Sequence, residues 1–147
     1  LRTPINKGPI TRRKIFELMP FENELVVLKL DSTQLNQLLD FIVEKSYQNQ
    51  SRKAGVPVSG IRLRISKNKI TRCFVNNEQL NFGKSYLVLT TDYLANGGDH
   101  MDFFKNCKEK IPTGILLRDA IIHYIENINK NNIKVDAALD GRIEILQ

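Results

Sequence analysis

The turn Asn96-Gly97-Gly98-Asp99 is the most unusual local feature of this sequence and its first candidate for chemistry. Adjacent glycines permit positive φ angles and let a ligand approach the backbone closely. A carboxylate that follows them directly can accept hydrogen bonds from two vicinal hydroxyls. The structural alternative is a tight connection from a strand to a helix, with Asp99 as the helix cap. Taken alone, the turn favours this alternative.

Few other residues suggest catalysis. The sequence contains no GxSxG nucleophile motif, no phosphate-binding P-loop and no zinc-binding HExxH. Asp92 lies close to Asp99, but a pair of acids is weak evidence for general acid–base catalysis. Phe21 lies in a connection between a predicted helix and a predicted strand, where binding residues are frequent. A phenylalanine in such a place usually belongs to the core, so the residues alone identify no active site.

The cysteines and histidines form no recognisable metal site. Cys73 and Cys107 are the only cysteines, and neither belongs to a CxxC pair. His100 and His123 complete no zinc pattern. One disulfide is possible, and two buried thiols are equally possible, so the cysteines do not indicate a cellular compartment.

The composition is that of one folded domain. The chain has 147 residues, of which 41% are hydrophobic and 26% are charged. Its formal net charge is +6, and its basic clusters lack interleaved aromatic residues, which favours a solvated basic surface over a nucleic-acid site. No apolar run approaches the roughly 20 residues of a membrane helix, and no signal peptide is recognisable at the start.

The first half of the chain alternates helix and strand signals. Thr11 is the expected cap of a short helix that Pro20 ends. Residues 24–30 predict a mostly buried strand, and a helix capped by Asp31 or Ser32 follows, with apolar residues at i, i+3, i+4, i+7 and i+8 to about residue 46. Residues 56–66 and 69–75 predict a β-hairpin.

The second half continues this irregular mixture. Residues 86–91 predict a strand, residues 101–104 a short amphipathic segment and residues 142–146 a last strand. Thr113 is the expected cap of the longest helix, which runs to about residue 130. Its predicted core stripe, which leaves out His123 and Glu126, is Leu117, Ala120, Ile121, Tyr124, Ile125 and Ile128. The pattern favours an α+β fold, a mixed β-sheet with packed helices, over a doubly wound sheet.

Four segments form a pattern along the chain: Leu1-Arg2 with Gly8-Pro9-Ile10-Thr11, Leu18-Met19-Pro20-Phe21-Glu22-Asn23, Val58-Ser59-Gly60-Ile61, and Thr91-Asp92-Tyr93-Leu94-Ala95-Asn96-Gly97-Gly98-Asp99. The close of the chain, Asp140-Gly141-Arg142-Ile143, fits the same pattern, which therefore spans almost the whole chain. Together they resemble the C-terminal domain of the 5'-nucleotidase family, which includes bacterial UDP-sugar hydrolase and animal ecto-5'-nucleotidase. The fourth segment is the most specific. The resemblance implies that residues 1–147 form this domain, truncated at its N-terminus because the chain opens inside the family's Asn-Gly-Gly-Ile-Arg motif.

The resemblance also implies a nucleotide site. Phe21 and Tyr93 match the two aromatic residues that sandwich the base, and stacking of this kind tolerates several bases. Asp99 matches the acid that binds the ribose hydroxyls, in a loop with Asn96, Gly97 and Gly98. Arg2 matches an arginine on the phosphate and ribose side, where a charged, planar guanidinium suits bidentate binding. The Tyr93 hydroxyl, absent where the family has phenylalanine, is available to a ligand or water, and His100 is expected on the surface.

The implied function is nucleotide recognition within a 5'-nucleotidase. Hydrolysis of nucleoside 5'-phosphates would belong to an N-terminal metallophosphoesterase domain, on the same or a separate chain, in which two divalent metal ions activate water. A hinge-type rotation would deliver the phosphate to these metals. This chain would contribute no catalytic residue, metal ion or cofactor and would be inactive alone. The resemblance implies a periplasmic, extracellular or cell-surface location.

Two hypotheses remain open at this point. In the first, the chain is part of a hydrolase that works with a catalytic domain. In the second, it is a non-catalytic module that binds a nucleoside or nucleotide. Metal-binding motifs upstream in an intact precursor would support the first. RNA binding by the basic surface is a more distant third, and it predicts a steep loss of affinity with salt.

Overall fold

The computed structural model describes residues 3–48, 56–136 and 138–146. Helices and strands mix along these residues, which confirms the predicted α+β class. The helices are α1 (Arg12–Leu18), α2 (Ser32–Gln48), α3 (Asp92–Ala95) and α4 (Leu117–Lys130). The strands are β1 (Glu24–Leu30), β2 (Ile61–Ser66), β3 (Lys69–Val75), β4 (Glu78–Gln79), β5 (Tyr86–Thr91), β6 (Glu109–Leu116) and β7 (Ile143–Leu146). Two short 3-10 turns, Gly98–His100 and Asp102–Phe104, lie between α3 and β6.

The chain forms two compact units. The first contains Leu1–Lys29 and Leu87–Ala137, and the second contains Leu30–Tyr86 and Ala138–Gln147. A three-stranded sheet with the strand order β5-β1-β6 belongs to the first unit, and a four-stranded sheet with the order β4-β3-β2-β7 belongs to the second. The candidate site residues that the structure describes all belong to the first unit.

Strand β6 was not predicted from the sequence. The helix expected to begin at Thr113 begins instead at Leu117, and Thr113 lies within β6, where its hydroxyl donates to the carbonyl of Leu25 at 2.7 Å. Pro112 and Gly114 flank Thr113 and oppose a helix, because proline lacks an N–H donor and glycine loses the most backbone entropy. The segment therefore pairs with β1 in an antiparallel ladder.

The buried face of α4 also differs from the predicted stripe. Tyr124, predicted as core, is 63% exposed, whereas Ile122 and Arg118 are buried. The Arg118 guanidinium stacks on the Phe16 ring of α1 at 4.1 Å from its centroid, so its charge lies over an aromatic face. An Arg118 amino group lies 3.8 Å from the Glu22 carboxylate, a weak ion pair because the glutamate side chain is largely exposed. Sequence periodicity missed this arginine because it treats every charged residue as solvated.

Helix α2 of the second unit matches its prediction closely. Asp31 is the N-cap: its carboxylate accepts from the Gln34 backbone N–H at 2.9 Å, and the Gln34 amide oxygen accepts from the Asp31 backbone N–H at 3.2 Å. This reciprocal capping box satisfies two backbone donors at the helix start. The predicted apolar face is buried in a core with β2 and β3, made of Leu35, Leu39, Ile42, Val43, Leu63, Ile65 and Cys73.

The sheet of the second unit is built on the predicted hairpin. Strands β2 and β3 pair antiparallel, and the turn residues Lys67 and Asn68 both have positive φ, as two-residue hairpin turns require. β7 pairs with β2 in parallel. Arg142, just before β7, bonds the carboxylate of Asp140 and the carbonyl of Val58. The hydrogen bond from Arg142 lowers the pKa of Asp140 to about 2.

Cys73 and Cys107 are free and buried, so they are two buried thiols and no disulfide joins them. Burial raises the pKa of Cys73 to about 11, because a thiolate is poorly solvated among apolar side chains. The Cys107 thiol donates to the carbonyl oxygen of Lys29 at 3.2 Å. Both cysteines therefore act as packing residues.

Candidate functional site

The candidate site is built on α3, which begins directly where β5 ends. Thr91 is its N-cap, and the threonine hydroxyl accepts from the Leu94 backbone N–H at 3.4 Å. The helix is only four residues long and ends at Ala95, with Asn96 as its C-cap. Gly97, the next residue, has a left-handed conformation with φ 91°. The Lys110 ammonium group, from β6, donates to the carbonyl of Ala95 at 2.7 Å and so holds the C-terminal end of this helix.

Both positions of the loop favour glycine, Gly97 because its φ is +91° and Gly98 because it lies close to an aromatic ring. A Cβ on Gly98 would overlap the ring of Tyr93, and a Cβ on Gly97 would overlap the side chain of Lys105. The Lys105 ammonium forms an ion pair with Asp102 at 2.6 Å. The first explanation from the sequence was close approach of a ligand, whereas the contacts observed here are with the protein's own side chains.

Tyr93 and Asp99 are joined by two hydrogen bonds. The tyrosine hydroxyl donates to the Asp99 carboxylate (Oδ1) at 3.1 Å and accepts from the Asp99 backbone N–H at 3.3 Å. Asp99 has φ 50° and ψ 34°, and His100 also has positive φ, a left-handed conformation that costs energy for residues with a Cβ. The Tyr93 hydroxyl therefore fixes both the backbone and the carboxylate of a strained residue.

This arrangement changes two sequence interpretations. Asp99 is not a helix N-cap, because it lies inside the first 3-10 turn, whose N-cap is Gly97. The Tyr93 hydroxyl, expected to be available to a ligand or water, is engaged by Asp99. His100 is exposed, as expected.

Both aromatic residues of the predicted sandwich present part of their rings to solvent. Phe21, in the connection between α1 and β1, is 47% exposed, and Tyr93 is 51% exposed. The general expectation that a phenylalanine at such a connection is buried is therefore wrong here. About half of each residue's surface is therefore in contact with solvent, and stacking of a base would bury part of such an area.

A hydrogen bond between side chains links the segments that carry these rings. The Asn23 amide donates to the Asp92 carboxylate (Oδ1) at 3.2 Å. The same oxygen accepts from the backbone N–H of Tyr93 at 2.8 Å. The carbonyl of Asn23 accepts from the N–H of Leu117 at 2.8 Å, which fixes Asn23 to the start of α4. Sequence reasoning assigned no role to Asn23.

The structure thus brings three predicted site residues, Tyr93, Gly98 and Asp99, into direct contact. Asn96 and Gly97 belong to the same loop. Arg2 lies outside the described residues. Among the residues that the structure describes, no group of three or more His, Cys, Asp or Glu side chains is placed to hold a metal ion.

The sequence model of the family described as 5'-nucleotidase, C-terminal domain, matches residues 1–106. The chain belongs to this family. Within the family's fold, the described loop from Tyr93 to Asp99 is the segment that carried the most specific sequence resemblance. None of the helices within the described ranges is long and apolar enough to cross a membrane.

Similar proteins are considerably longer than this chain. Protein 5NUC of Lutzomyia longipalpis is 28% identical over 99% of the chain, which covers 28% of that protein. A 5'-nucleotidase of Vibrio parahaemolyticus is 24% identical over 86% of the chain and is covered over 22% of its length. The crystal structure of a 5'-nucleotidase precursor from Thermus thermophilus superposes with a TM-score of 0.77 at 30% identity, over 99% of this chain and 29% of that one.

Proposed function

We propose that this chain recognises the nucleotide for a 5'-nucleotidase, with residues 1–147 as the substrate-recognition domain. The observation that carries the proposal is the pairing of a half-exposed Tyr93 ring with an Asp99 carboxylate held by its hydroxyl. An aromatic surface beside a fixed acid matches the two parts of a nucleoside, since the base stacks and the ribose donates hydrogen bonds. Phe21 supplies the second ring of the proposed sandwich.

The Asp99 carboxylate still has acceptor sites for the hydroxyls of a ribose, although it already accepts a hydrogen bond from Tyr93. An ionised carboxylate has about four acceptor sites on its two oxygens. The tyrosine hydroxyl uses one site on Oδ1. The remaining sites suffice for two vicinal hydroxyls, and the fixed orientation lowers the entropy lost on binding.

The remaining loop residues and Arg2 complete the proposed site. Asn96 is exposed at the end of α3, where its amide is available to a ligand. The proposal places the backbone of Gly97 and Gly98 against the nucleoside. Arg2 would bind the phosphate and ribose side with its planar guanidinium.

In the proposed enzyme, nucleoside 5'-phosphates are hydrolysed to nucleoside and phosphate by a separate metallophosphoesterase domain. Two divalent metal ions held by that domain would supply an activated hydroxide and would stabilise the leaving oxygen. The role of this chain is to stack the base, hold the ribose and orient the phosphate. Family membership supports this division of labour. The proposal includes the periplasmic, extracellular or cell-surface location that the sequence resemblance implies.

Calorimetric titration of the chain with adenosine and AMP tests the proposal. The double variant Phe21→Ala, Tyr93→Ala should lose at least about tenfold in affinity, because stacking on one aromatic ring contributes about 1–3 kcal/mol per base. The matched control is Phe82→Ala, Tyr124→Ala, which removes two rings of similar exposure, 48% and 63%, outside the proposed site. An equal loss in both double variants, or full affinity without Phe21 and Tyr93, would contradict the proposal.

A further inference from the structure

Asn23 is held by two different hydrogen bonds, one from its backbone and one from its side chain. Its carbonyl accepts from Leu117 at 2.8 Å, and its amide donates to Asp92 at 3.2 Å. The first bond fixes Asn23 to the start of α4 whatever its side chain is. The second bond reaches α3, which is 69 residues away in sequence. The side chain of Asn23 therefore makes a connection that the backbone does not.

The positions of the two bonded residues matter. Asn23 lies two residues after Phe21, in a connection with no helix or strand of its own. Asp92 is the first residue of α3 and directly precedes Tyr93, whose backbone N–H it accepts at 2.8 Å. One carboxylate oxygen thus bonds both the Phe21 connection and the Tyr93 helix turn.

We infer that Asn23 and Asp92 are positioning residues that hold the Phe21 and Tyr93 rings at a fixed separation for an incoming base. This inference rests on the proposed nucleotide site and adds two residues to it, which act by orienting the two rings. A connection without secondary structure and a helix of four residues have little stability of their own. A bond between them keeps both rings in place before binding, so the ligand does not have to order them.

Affinity for AMP in single variants tests this link. Asn23→Ala and Asp92→Ala should each raise the Kd by about tenfold, which is the usual effect of one lost hydrogen bond with a charged partner. Asn23→Asp should weaken binding further, because two carboxylates would then face each other. The single variant Asp92→Asn should keep an affinity close to that of the wild type, since its amide oxygen can accept the same two hydrogen bonds. The Asn23→Ala, Asp92→Ala double variant should be no weaker than the weaker single variant.

A control separates positioning from general stability. Asn131→Ala removes another asparagine hydrogen bond of the same unit, from its amide to the carbonyl of Asn127 at 2.9 Å. Asn131 lies beyond the last residue of α4, about 20 Å along the helix from Leu117. Because this bond is exposed and its acceptor is neutral, Asn131→Ala should lower the unfolding temperature less than Asn23→Ala and leave the Kd unchanged. Both variants are titrated at a temperature at which thermal unfolding shows them fully folded. Equal loss of affinity in Asn131→Ala, or additive losses in the double variant, would overturn the inference.

Nuclear magnetic resonance distinguishes failure of this link from failure of the proposed function. If the wild-type chain binds neither adenosine nor AMP, the proposed function is wrong. The link is then judged without ligand from the ring resonances of Phe21 and Tyr93. Both should shift and broaden in Asn23→Ala and should stay as in the wild type in Asp92→Asn. Unchanged ring resonances in Asn23→Ala would reject the link, whatever the chain binds.

Discussion

At the scale of single residues, Tyr93 combines two properties that the sequence suggested separately. Its ring is half exposed, and its hydroxyl bonds both the carboxylate and the backbone N–H of Asp99. Asp99 has a left-handed backbone that costs a residue with a Cβ of order 1–3 kcal/mol. The hydroxyl offsets part of that cost, so a phenylalanine at this position would leave the acid less well fixed.

The variant Tyr93→Phe isolates the hydroxyl from the ring. We expect it to bind adenosine about three- to tenfold more weakly than the wild type, because it keeps stacking and loses the bond that orients Asp99. Tyr93→Ala should be weaker still. Asp99→Ala should make the two Tyr93 variants differ only by stacking, so that the penalty of Tyr93→Phe disappears in the Asp99→Ala background.

Calorimetry measures the affinity of each of these variants for adenosine. Wild-type affinity in Tyr93→Phe would show that the hydroxyl does not prepare Asp99 for a ligand. Adenosine is the suitable probe because it is neutral, and its affinity does not include attraction between phosphate and the net charge of +6.

The sequence predicted some residues of this site and missed others. The motif around the paired glycines identified Tyr93 and Asp99, because their spacing of six residues lies within one segment. The bond between Asn23 and Asp92 could not be found in this way, since it joins residues 69 positions apart and depends on how the connection folds. Arg118 was missed for a related reason, because only the position of the Phe16 ring makes its burial favourable.

At the scale of elements, the loop after α3 is shaped by Gly98. A Cβ added to Gly98 would lie under 3.0 Å from three ring carbons of Tyr93, so Gly98 leaves no room for a side chain beside that part of the ring. A base that stacks on Tyr93 must therefore use the exposed remainder of the ring. The glycine lets the loop fold back closely enough for the Tyr93 hydroxyl to reach Asp99.

Gly98→Ala should disrupt both the packing of residue 98 beside the Tyr93 ring and the hydrogen bond from Tyr93 to Asp99. The added methyl group would overlap the Tyr93 ring, and we expect a loss of about 1–3 kcal/mol in the free energy of unfolding, as for other overpacked sites. Binding of adenosine should weaken as well, because the ring must move. Thermal unfolding and calorimetry measure the two effects.

Gly83→Ala is the matched control for this substitution. Gly83, like Gly98, does not have the positive φ that alone would strain an alanine, and its added methyl group would meet only the end of the Asn81 side chain, at 3.1 Å. It should change stability less than Gly98→Ala and leave adenosine binding unchanged. Equal unfolding temperatures and equal affinities for the two variants would contradict this account of Gly98.

The helices and strands were predictable where the signal that specifies them is local in sequence. Helix α2 has a capping box at Asp31 and a regular apolar stripe, and both are local in sequence. Strand β6 has no such signal, because its register follows from pairing with β1. The threonine read as a helix cap, Thr113, instead bonds a carbonyl of that neighbouring strand.

At the scale of the whole molecule, the chain corresponds to a part of its relatives. It covers 28% of the Lutzomyia protein and 29% of the Thermus structure, and its family is the C-terminal domain of 5'-nucleotidases. The described residues show two half-exposed rings, Phe21 and Tyr93, and an Asp99 carboxylate fixed by the Tyr93 hydroxyl, and the proposed recognition role rests on these features. The proposed chemistry requires two metal ions, which the proposal assigns to a separate metallophosphoesterase domain.

The last prediction separates recognition from catalysis. The chain alone, with divalent metal ions added, should release no phosphate from AMP, because binding a nucleotide does not generate the hydroxide that attacks it. Fused to the metallophosphoesterase domain of a relative, it should support hydrolysis, and the Phe21→Ala, Tyr93→Ala variant of the fusion should lose at least about tenfold in kcat/KM. A phosphate-release assay measures both, with the Phe82→Ala, Tyr124→Ala fusion as the control. Hydrolysis by the isolated chain would place catalytic groups in this domain and overturn the division of labour proposed for it.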